Sequence, residues 1–319
     1  MEKCGLLDMM ISRLPGLSYP EKIRLCESFD NESVFLQKSA DEIEKIINRK
    51  LQGFWDVKDI RIMAENDAKT AKLRGINTVS WRSPVYPPLL REIYDPPVLL
   101  YFTGKLPNPE IPLVAVVGTR KPCTRAATQA YDIGKDLGNG GLSVVSGLAI
   151  GIDSMAHRGN IDGSAATVAV LGSGADEIYP SSNRPLARKI LETGGAVITE
   201  YPPGTRPYKS NFPARNRIIS GLSRGAVIVQ APDKSGALIT ARFAAEQGRD
   251  LWIASAGINS PGTERLAGDG AQVIYSAAEI FKAWKMKVPD AGNNAGKAGG
   301  LTVGKTVAGS LAKMIGVEI

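Results

Sequence analysis

Short apolar runs alternate with longer helical patterns over residues 113–284. Most of the runs are apolar throughout instead of alternating with polar residues, and each ends at a polar residue or glycine. Such runs, separated by helices, are typical of a parallel sheet that helices cover on both faces. We therefore predict a doubly wound α/β domain with a mostly parallel sheet over this range. The predicted strands are Leu113–Val117, Leu142–Val145, Thr167–Leu171, Ala196–Thr199, Ala226–Val229 and Leu251–Ala254, and the predicted helices are 124–138, 152–160, 183–193, 214–222 and 237–247.

Residues 1–75 carry apolar positions at helical spacing, such as Ile23, Cys26 and Phe29, and predict a small all-helical module. The turn at Leu14–Ser18 separates its first two helices. Two helices joined by a Pro-Gly turn can present main-chain N–H groups to a phosphate. An ordinary turn within a small helical bundle explains the same pattern, and we favour that interpretation.

Two further segments flank the α/β domain. Residues 76–112 are a proline-rich connector, within which Val98–Phe102 is predicted to be an edge strand. Residues 285–319 are predicted to form a flexible Gly-rich tail with room for one short helix. Within this tail, Gly299–Thr306 satisfies the GxxxxGK[ST] pattern of ATP- and GTP-binding loops. Such a loop follows a buried strand, and the residues before Gly299 do not form one, so we interpret the match as coincidence.

Composition and charge limit the partners and the chemistry. The net charge of +7 over 319 residues suits an anionic partner. The three cysteines, Cys4, Cys26 and Cys123, lie far apart and favour neither a disulfide framework nor a zinc site. His157 is the only histidine, which excludes metal sites built from several histidines. No apolar run approaches the ~18 residues of a membrane-spanning helix, and we expect a reduced, cytoplasmic protein with no metal and no membrane partner.

A basic segment with one aromatic residue is the strongest functional signal. The sequence KSNFPARNRIISGLS sets Lys209, Arg215 and Arg217 around Phe212. Residues 201–232 contain five Lys or Arg and no Asp or Glu. Uncompensated positive charge beside an aromatic face suits single-stranded nucleic acid, and a small phosphorylated ligand fits as well. These residues alone leave both ligands open.

Other unusual turns follow the predicted strands at the same rim of the sheet, where ligands of such sheets bind. Gly118 lets the main chain pass close to a ligand, and Arg120 offers a planar fork of donors for phosphate oxygens. Ser146 and Gly147 suit N–H donation to phosphate, and they suit close packing of a helix on the sheet equally well. Topology thereby brings Arg120 and Lys209 to one rim.

Two titratable residues near this rim are expected to be structural. Asp153 is positioned to cap the helix that follows the second strand. His157 lies about one turn later, and we interpret it as a hydrogen-bonding group of the fold rather than as a catalyst.

Several motifs in combination resemble the bacterial DNA-processing protein A family (DprA/Smf). The motifs are VAVVGTR at 114–120, VVSGLAIGID at 144–153, FPARNRIISGLS at 212–223 and SGALITA at 235–241. The resemblance covers about residues 80–280 and implies an extended Rossmann-like fold that binds single-stranded DNA without a cofactor. It also implies a homodimer that acts in natural transformation by protecting incoming strands and helping to load the RecA recombinase. In position, the N-terminal helices match the family's sterile-alpha-motif-like module.

The resemblance assigns DNA contacts residue by residue. Arg120 corresponds to the arginine of the family's first Gly-x-Arg turn, and Lys209 and Phe212 correspond to its Lys-x-x-Phe-Pro. Arg215 and Arg217 are the arginines of the following Arg-Asn-Arg. To these the rim adds three candidate contacts, which are Gly118, Ser146 and Gly147.

Two other functions use the same rim. The fold is similar to that of nucleotide phosphoribohydrolases, whose Gly-Gly-x-Gly-Thr-x-x-Glu loop carries a catalytic glutamate. In the comparable loop of this chain the position three beyond Thr240 is Phe243, and no acid appears before Glu246. Since general acid–base hydrolysis needs that group, we predict a protein without catalytic residues. A nucleotide-processing enzyme and a small-nucleotide sensor remain the alternatives.

Overall fold

The computed structural model describes residues 5–51 and 56–289. The N-terminal part is helical, as the sequence predicts, and the turn at Leu14–Ser18 separates its first two helices. Ser18 and Ser39 begin the second and fourth helices with capping boxes, in which each serine pairs with a glutamate three residues later. These five helices are α1 (Leu6–Arg13), α2 (Tyr19–Ser28), α3 (Glu32–Leu36), α4 (Ala40–Ile47) and α5 (Val57–Leu73).

The rest of the described chain forms one sheet with helices on both faces. The strands are β1 (Asn77–Ser80), β2 (Leu99–Gly104), β3 (Leu113–Val117), β4 (Ser143–Ser146), β5 (Val168–Val170), β6 (Ala196–Thr199), β7 (Gly225–Ile228), β8 (Asp250–Ala254) and β9 (Gln272–Ile274). The helices are α6 (Pro88–Arg91), α7 (Thr124–Asn139), α8 (Ile152–Asp162), α9 (Arg184–Glu192), α10 (Asn211–Leu222), α11 (Gly236–Glu246), α12 (Pro261–Gly268) and α13 (Ala278–Ala283).

The strand order is β1-β2-β6-β5-β4-β3-β7-β8-β9. The seven strands from β6 to β9 are parallel, whereas β2 pairs antiparallel with both β1 and β6. After β3 the chain builds outward through β4, β5 and β6, and it then returns to the other side of β3 with β7. Connections that leave β3 and β7 in opposite directions open a crevice at the carboxyl ends of these two strands.

The two faces of β3 explain its continuous apolar sequence. Leu113, Ala115 and Val117 pack into the core under α10 and α11, while Val114 and Val116 pack into the core under α7 and α8. A strand with both faces buried needs an apolar side chain at every position. The predicted fold class, a doubly wound and mostly parallel α/β sheet with an N-terminal helical part, is confirmed.

The prediction of an edge strand at Val98–Phe102 is wrong in its position. The strand forms as β2, but β1 covers one side of it and β6 the other. The sequence of β1, Asn-Thr-Val-Ser, carries one large apolar residue and gives no apolar run, so the sequence analysis did not identify it. The division of the chain at residues 75, 112 and 284 stays a prediction, and the predicted tail beyond residue 289, with its GxxxxGK[ST] match, lies outside the described residues.

Helices α7 and α8 pack with their main chains almost in contact. A Cβ atom on Gly159 would lie 2.0 Å from the Tyr131 carbonyl oxygen, and one on Gly134 would lie 2.4 Å from the Ala156 carbonyl oxygen. Only glycine fits at these crossing points. This packing fixes α8, and with it the turn between β4 and α8 at the rim of the sheet.

Candidate nucleic-acid interface

A cleft of about 940 Å³ lies at the crevice between the ends of β3 and β7. Pockets for small ligands span about 300–1,000 Å³, so this cleft is at the upper end of that range. Its walls come from five places: the turn after β3, the turn after β4 with the start of α8, the turn after β5, the end of the β6–α10 loop with the start of α10, and the turn that opens α11. The sequence analysis placed its unusual turns at this rim.

The cleft is strongly basic. Arg120 and Lys209 line it with exposed side chains, as the sequence analysis predicted, and so do two further lysines, Lys121 and Lys234. The carboxylate of Asp153 is the one acidic group among the residues that line it. Lys234 was not predicted to be a site residue, because it lies just beyond the acid-free segment 201–232 and next to Asp233.

Two aromatic rings, those of Tyr179 and Phe212, line the cleft together with these cations. Phe212, in the first turn of α10, packs against Tyr179 with 5.5 Å between ring centroids and 44° between ring planes. The Arg120 guanidinium lies 5.8 Å from the centroid of the Phe212 ring. Tyr179 is 43% exposed, so its ring is accessible to a ligand. Tyr179 was not among the predicted site residues, although an aromatic residue in a turn after a parallel strand is a signal that could have identified it.

Small residues make room for this arrangement. A Cβ atom on Gly172 would lie 3.0 Å from the Phe212 ring. One on Gly118 would lie 2.6 Å from the Ile152 side chain, at the start of α8. Gly118 therefore lines the cleft as predicted, but it is required for close packing of the β3 turn on α8 and not for an unusual backbone conformation.

Arg215 forms part of the cleft floor and is 5% exposed. Its guanidinium donates to the Gly147 carbonyl oxygen at 3.1 Å and to Asn216 Oδ1 at 3.3 Å. Burial, opposed by the Asp153 charge and assisted by the Arg120 charge, lowers the pKa of Arg215 to about 10. The Arg120 and Arg215 charges therefore act on each other at this cleft, and their repulsion favours an anionic ligand there.

Asp153 does not begin α8 as a cap; it lies at the second position of the helix and holds the preceding turn. Its Oδ2 atom accepts from the main-chain N–H of Gly147 at 3.1 Å and of Ala149 at 3.3 Å. Burial raises the pKa of Asp153, and the nearby Arg215 charge and the two N–H donors oppose that rise. The Asp153 carboxylate thus stabilises the turn in which the Gly147 carbonyl oxygen accepts from Arg215.

The prediction that Ser146 and Gly147 donate to a ligand phosphate is wrong. Ser146 is fully buried, and its hydroxyl donates to the Val116 carbonyl oxygen at 2.7 Å. The Gly147 N–H already donates to Asp153. A Cβ atom at Gly147 would lie 2.6 Å from the Arg215 guanidinium, so the alternative interpretation, that this turn is small for packing, describes it correctly.

The prediction that Arg217 contacts the ligand is also wrong. Its side chain is 2% exposed and donates to both carboxylate oxygens of Glu200 at 2.7 Å. The guanidinium also lies 3.1 Å from Asp95 and 4.2 Å from the centroid of the Tyr19 ring. Burial opposes the charge, but these partners outweigh it and raise the pKa of Arg217. Residues two positions apart on a helix point to different sides, so Arg217 faces away from the cleft that Arg215 lines.

His157 is a buried group of the fold, as the sequence analysis interpreted it. Its Nδ1 atom lies 2.8 Å from Thr167 Oγ1, and this hydroxyl donates to the Val144 carbonyl oxygen, so the imidazole is the donor. Burial and, to a smaller extent, the nearby Arg215 charge lower the pKa of His157 to about 3, which keeps the ring neutral. Over the described ranges, no group of three or more His, Cys, Asp or Glu is placed to hold a metal ion.

These features define a doubly wound α/β protein with a basic, aromatic-bearing cleft at the point where its strand order reverses. The chain belongs to the DNA recombination-mediator protein A family, whose model matches residues 77–285. The resemblance inferred from the sequence motifs is thereby confirmed. In the described part of the chain, no helix combines the length and the apolar character that crossing a bilayer requires.

Individual relatives agree with this assignment. The chain is 33% identical to protein Smf of Borreliella burgdorferi over 89% of its own length and 90% of that protein. It is 44% identical to protein Smf of Synechocystis over 62% of its own length, and there it spans only about half (51%) of the relative.

Two solved structures share the fold. DNA processing protein A from Streptococcus pneumoniae superposes with a TM-score of 0.70 at 31% identity, over 88% of this chain and 98% of that one. DNA processing protein A from Helicobacter pylori superposes with a TM-score of 0.59 at 29% identity, over 66% of this chain and 95% of that one. The Helicobacter structure concerns a single-stranded DNA binding mode of that protein.

Proposed function

We propose that this protein binds single-stranded DNA in the basic cleft as a cytoplasmic mediator of natural transformation. In this role it protects incoming strands and, as a homodimer, helps to load the RecA recombinase onto them. It uses no cofactor and catalyses no reaction. Membership of the DNA recombination-mediator protein A family and the single-stranded DNA binding mode of the Helicobacter pylori protein support this function.

The observation that carries the proposal is the position of the Tyr179–Phe212 ring pair among exposed cations. Exposed aromatic rings bind unpaired bases by stacking, which contributes about 1–3 kcal/mol per base. In a duplex both faces of each internal base are already stacked. Arg120 and Lys209 line the same cleft and bind phosphates of the strand, so the cleft recognises backbone and base faces without reading base edges.

The cleft offers little to a hydrolytic enzyme. The Asp153 carboxylate is buried and already accepts two main-chain N–H groups. Glu246, the first acid after Thr240, lies at the last position of α11 and pairs with Arg242 at 3.6 Å. Incubation with nucleoside monophosphates should therefore release no free base, and a release that is lost in Asp153→Asn would instead identify a nucleotide-processing enzyme.

The test of DNA binding is fluorescence anisotropy of labelled oligothymidylates of increasing length, titrated over a range of salt. We expect the affinity to increase with length and to exceed that for a matched duplex. Arg120→Ala combined with Lys209→Ala should reduce the log–log salt slope by about 1.4, because each lost phosphate contact removes about 0.7. Phe212→Ala should weaken binding with little change in slope, since it removes stacking and no charge.

Lys282→Ala serves as the matched control because Lys282 is exposed on α13 and does not line the cleft. An unchanged affinity and slope in the double variant would reject the site. Saturation by a mononucleotide, with no dependence on oligonucleotide length, would favour a small-nucleotide sensor. Sedimentation of the free protein, and capture of RecA only in the presence of bound strand, test the homodimer and the recombinase partner.

A further inference from the structure

The segment that carries Lys209 has no helix or strand of its own. This segment, residues 200–210, joins β6 to α10, and we call it the Lys209 loop. At its far end it is fixed by the first residue of α10, because Asn211 Nδ2 donates to the Gly172 carbonyl oxygen at 3.0 Å. Two further contacts fix its beginning and its middle, and both involve the N-terminal helices.

The middle of the Lys209 loop is held through Asp176. Both carboxylate oxygens of Asp176 accept from the Gly204 N–H, at 2.9 and 3.0 Å. Arg74, the residue that ends α5, donates to Asp176 Oδ2 at 2.5 Å. The Asp176 side chain is only 7% exposed, so the guanidinium is the charge that compensates a nearly buried carboxylate. A chain of contacts therefore runs from α5 through Asp176 to the loop.

The beginning of the loop is held through Glu200. The Tyr19 hydroxyl, in the first turn of α2, donates to Glu200 Oε2 at 2.5 Å. The same carboxylate binds Arg217 of α10. Two separate helices of the N-terminal part thus reach the loop at two separate points. Both Arg74 and Tyr19 lie outside residues 77–285, the part that the family model matches.

We propose that Arg74 and Tyr19 are positioning residues for the single-stranded DNA site, and that they act by fixing the Lys209 loop. The inference rests on the proposed function of the cleft. A loop that is already ordered before the DNA strand binds loses less conformational freedom on binding, and this increases the affinity. Neither residue lines the cleft itself.

The direction in which Asp176→Ala changes DNA affinity separates a positioning role from a purely electrostatic one. Asp176→Ala removes a negative charge near a DNA site, so electrostatics alone predicts tighter binding. Positioning predicts the opposite, a loss of about three- to tenfold in affinity for an oligothymidylate, because Gly204 loses its anchor. Asp269→Ala is the matched control: this exposed carboxylate lies beyond the end of α12, and its removal should leave affinity unchanged or slightly increase it.

A double-mutant cycle on the full chain then tests Arg74. Arg74→Ala alone should weaken binding about three- to tenfold and reduce the salt slope as Lys209→Ala does. In the Lys209→Ala background it should have little further effect, because the loop no longer carries the contact that Arg74 positions. Arg61→Ala, which breaks an exposed ion pair on the same helix, should change nothing. Thermal melting confirms that each variant is folded.

The outcomes separate the two proposals. A wild-type chain that does not bind oligothymidylate rejects the proposed function itself. A wild-type chain that binds, together with an Asp176→Ala variant of equal or higher affinity, rejects the positioning inference alone. Effects of Arg74→Ala and Lys209→Ala that simply add would show that Arg74 contacts the strand directly, and that also rejects the inference.

Discussion

At the scale of single residues, two arginines of α10 have different surroundings and therefore different roles. Arg215 extends to the cleft floor with only neutral hydrogen-bond acceptors for its guanidinium, whereas Arg217 donates to both oxygens of the Glu200 carboxylate. A buried guanidinium that donates only to neutral acceptors can still pair with an anionic ligand, whereas removing one partner of a buried ion pair strongly destabilises the fold. The position of the carboxylates, and not the arginines themselves, decides which task each arginine has.

We expect Glu200→Gln to lower the free energy of unfolding by about 3 kcal/mol, because it leaves the Arg217 charge buried with Asp95 as its remaining acidic partner. Urea titration followed by circular dichroism measures this change. Glu246→Gln is the matched control, since its ion pair with Arg242 is exposed and its loss should cost about 0.5 kcal/mol or less. Equal effects of the two substitutions would contradict the assignment of Arg217 to the fold.

The contrast between Arg215 and Arg217 also shows how much of the site the sequence could predict. Arg120, Lys209 and Phe212 could be placed at the cleft because Arg120 and Lys209 lie in loops that follow parallel strands, and Phe212 lies at the start of the helix after the second of these loops. Arg217 could not be assigned correctly, because its partner Glu200 belongs to a different element and the sequence does not show that the two meet. Ser146 and Gly147 are small residues of the kind found in phosphate-binding turns, and only the structure shows that Ser146 is fully buried and that the Gly147 N–H already donates to Asp153.

At the scale of elements, the α7–α8 crossing fixes the position of α8 and, through it, the position of the cleft floor. The main chains of the two helices approach so closely that Gly159 and Gly134 have no room for a Cβ atom. Since α8 begins directly after the turn that holds Arg215, a shift of this helix would move the cleft floor. Glycine in these helices is therefore required by packing, despite its unfavourable helix propensity.

Gly159→Ala should destabilise the protein by about 1–3 kcal/mol or more, because the added methyl group meets a carbonyl oxygen that cannot move independently of α7. Gly268→Ala, at the end of α12, adds the same group where nothing lies within 4 Å, and it should be neutral or stabilise by up to about 1 kcal/mol. Thermal unfolding of both variants is the measurement. A Gly159→Ala variant as stable as the wild type would show that the helices can separate at little cost.

The strands that the sequence predicted and those that it missed differ in burial. Six parallel strands were predicted because both of their faces are covered and nearly every position is apolar. The outer strands β1 and β9 were not predicted: they are four and three residues long, and each carries polar residues. The placement of β2 at an edge failed for the same reason, since its neighbour β1 gave no signal.

At the scale of the whole molecule, the N-terminal helices and the sheet share a core. Val98, Leu99 and Tyr101 of the β2 region, together with Ala175, pack in one apolar cluster with residues of α1 to α5. Ion pairs and hydrogen bonds add to this contact, among them Arg74 with Asp176 and Tyr19 with Glu200. Elements that bury each other's apolar surface unfold together, because neither retains its core alone.

We therefore expect the helices and the sheet to unfold in one transition. Circular dichroism at 222 nm follows the helices of both parts. In a Trp55→Phe variant, fluorescence follows Trp81, Trp252 and Trp284 of the sheet part, where the rings of Trp252 and Trp284 pack 5.7 Å apart between centroids. The two urea curves should coincide. Loss of helical signal at a lower urea concentration than the fluorescence change would instead show an N-terminal module that unfolds independently.

The opposite orientation of Arg215 and Arg217 affects how mutational surveys of this protein should be interpreted. An alanine scan that measures only retention of DNA will score Arg217 as a contact residue, because its loss reduces the amount of folded protein. If Asp176 fixes the Lys209 loop as proposed, the same scan will underestimate its contribution, because the substitution also removes a negative charge near the bound strand. Surveys of this cleft will separate recognition from folding only when each variant's binding is normalised to its folded fraction.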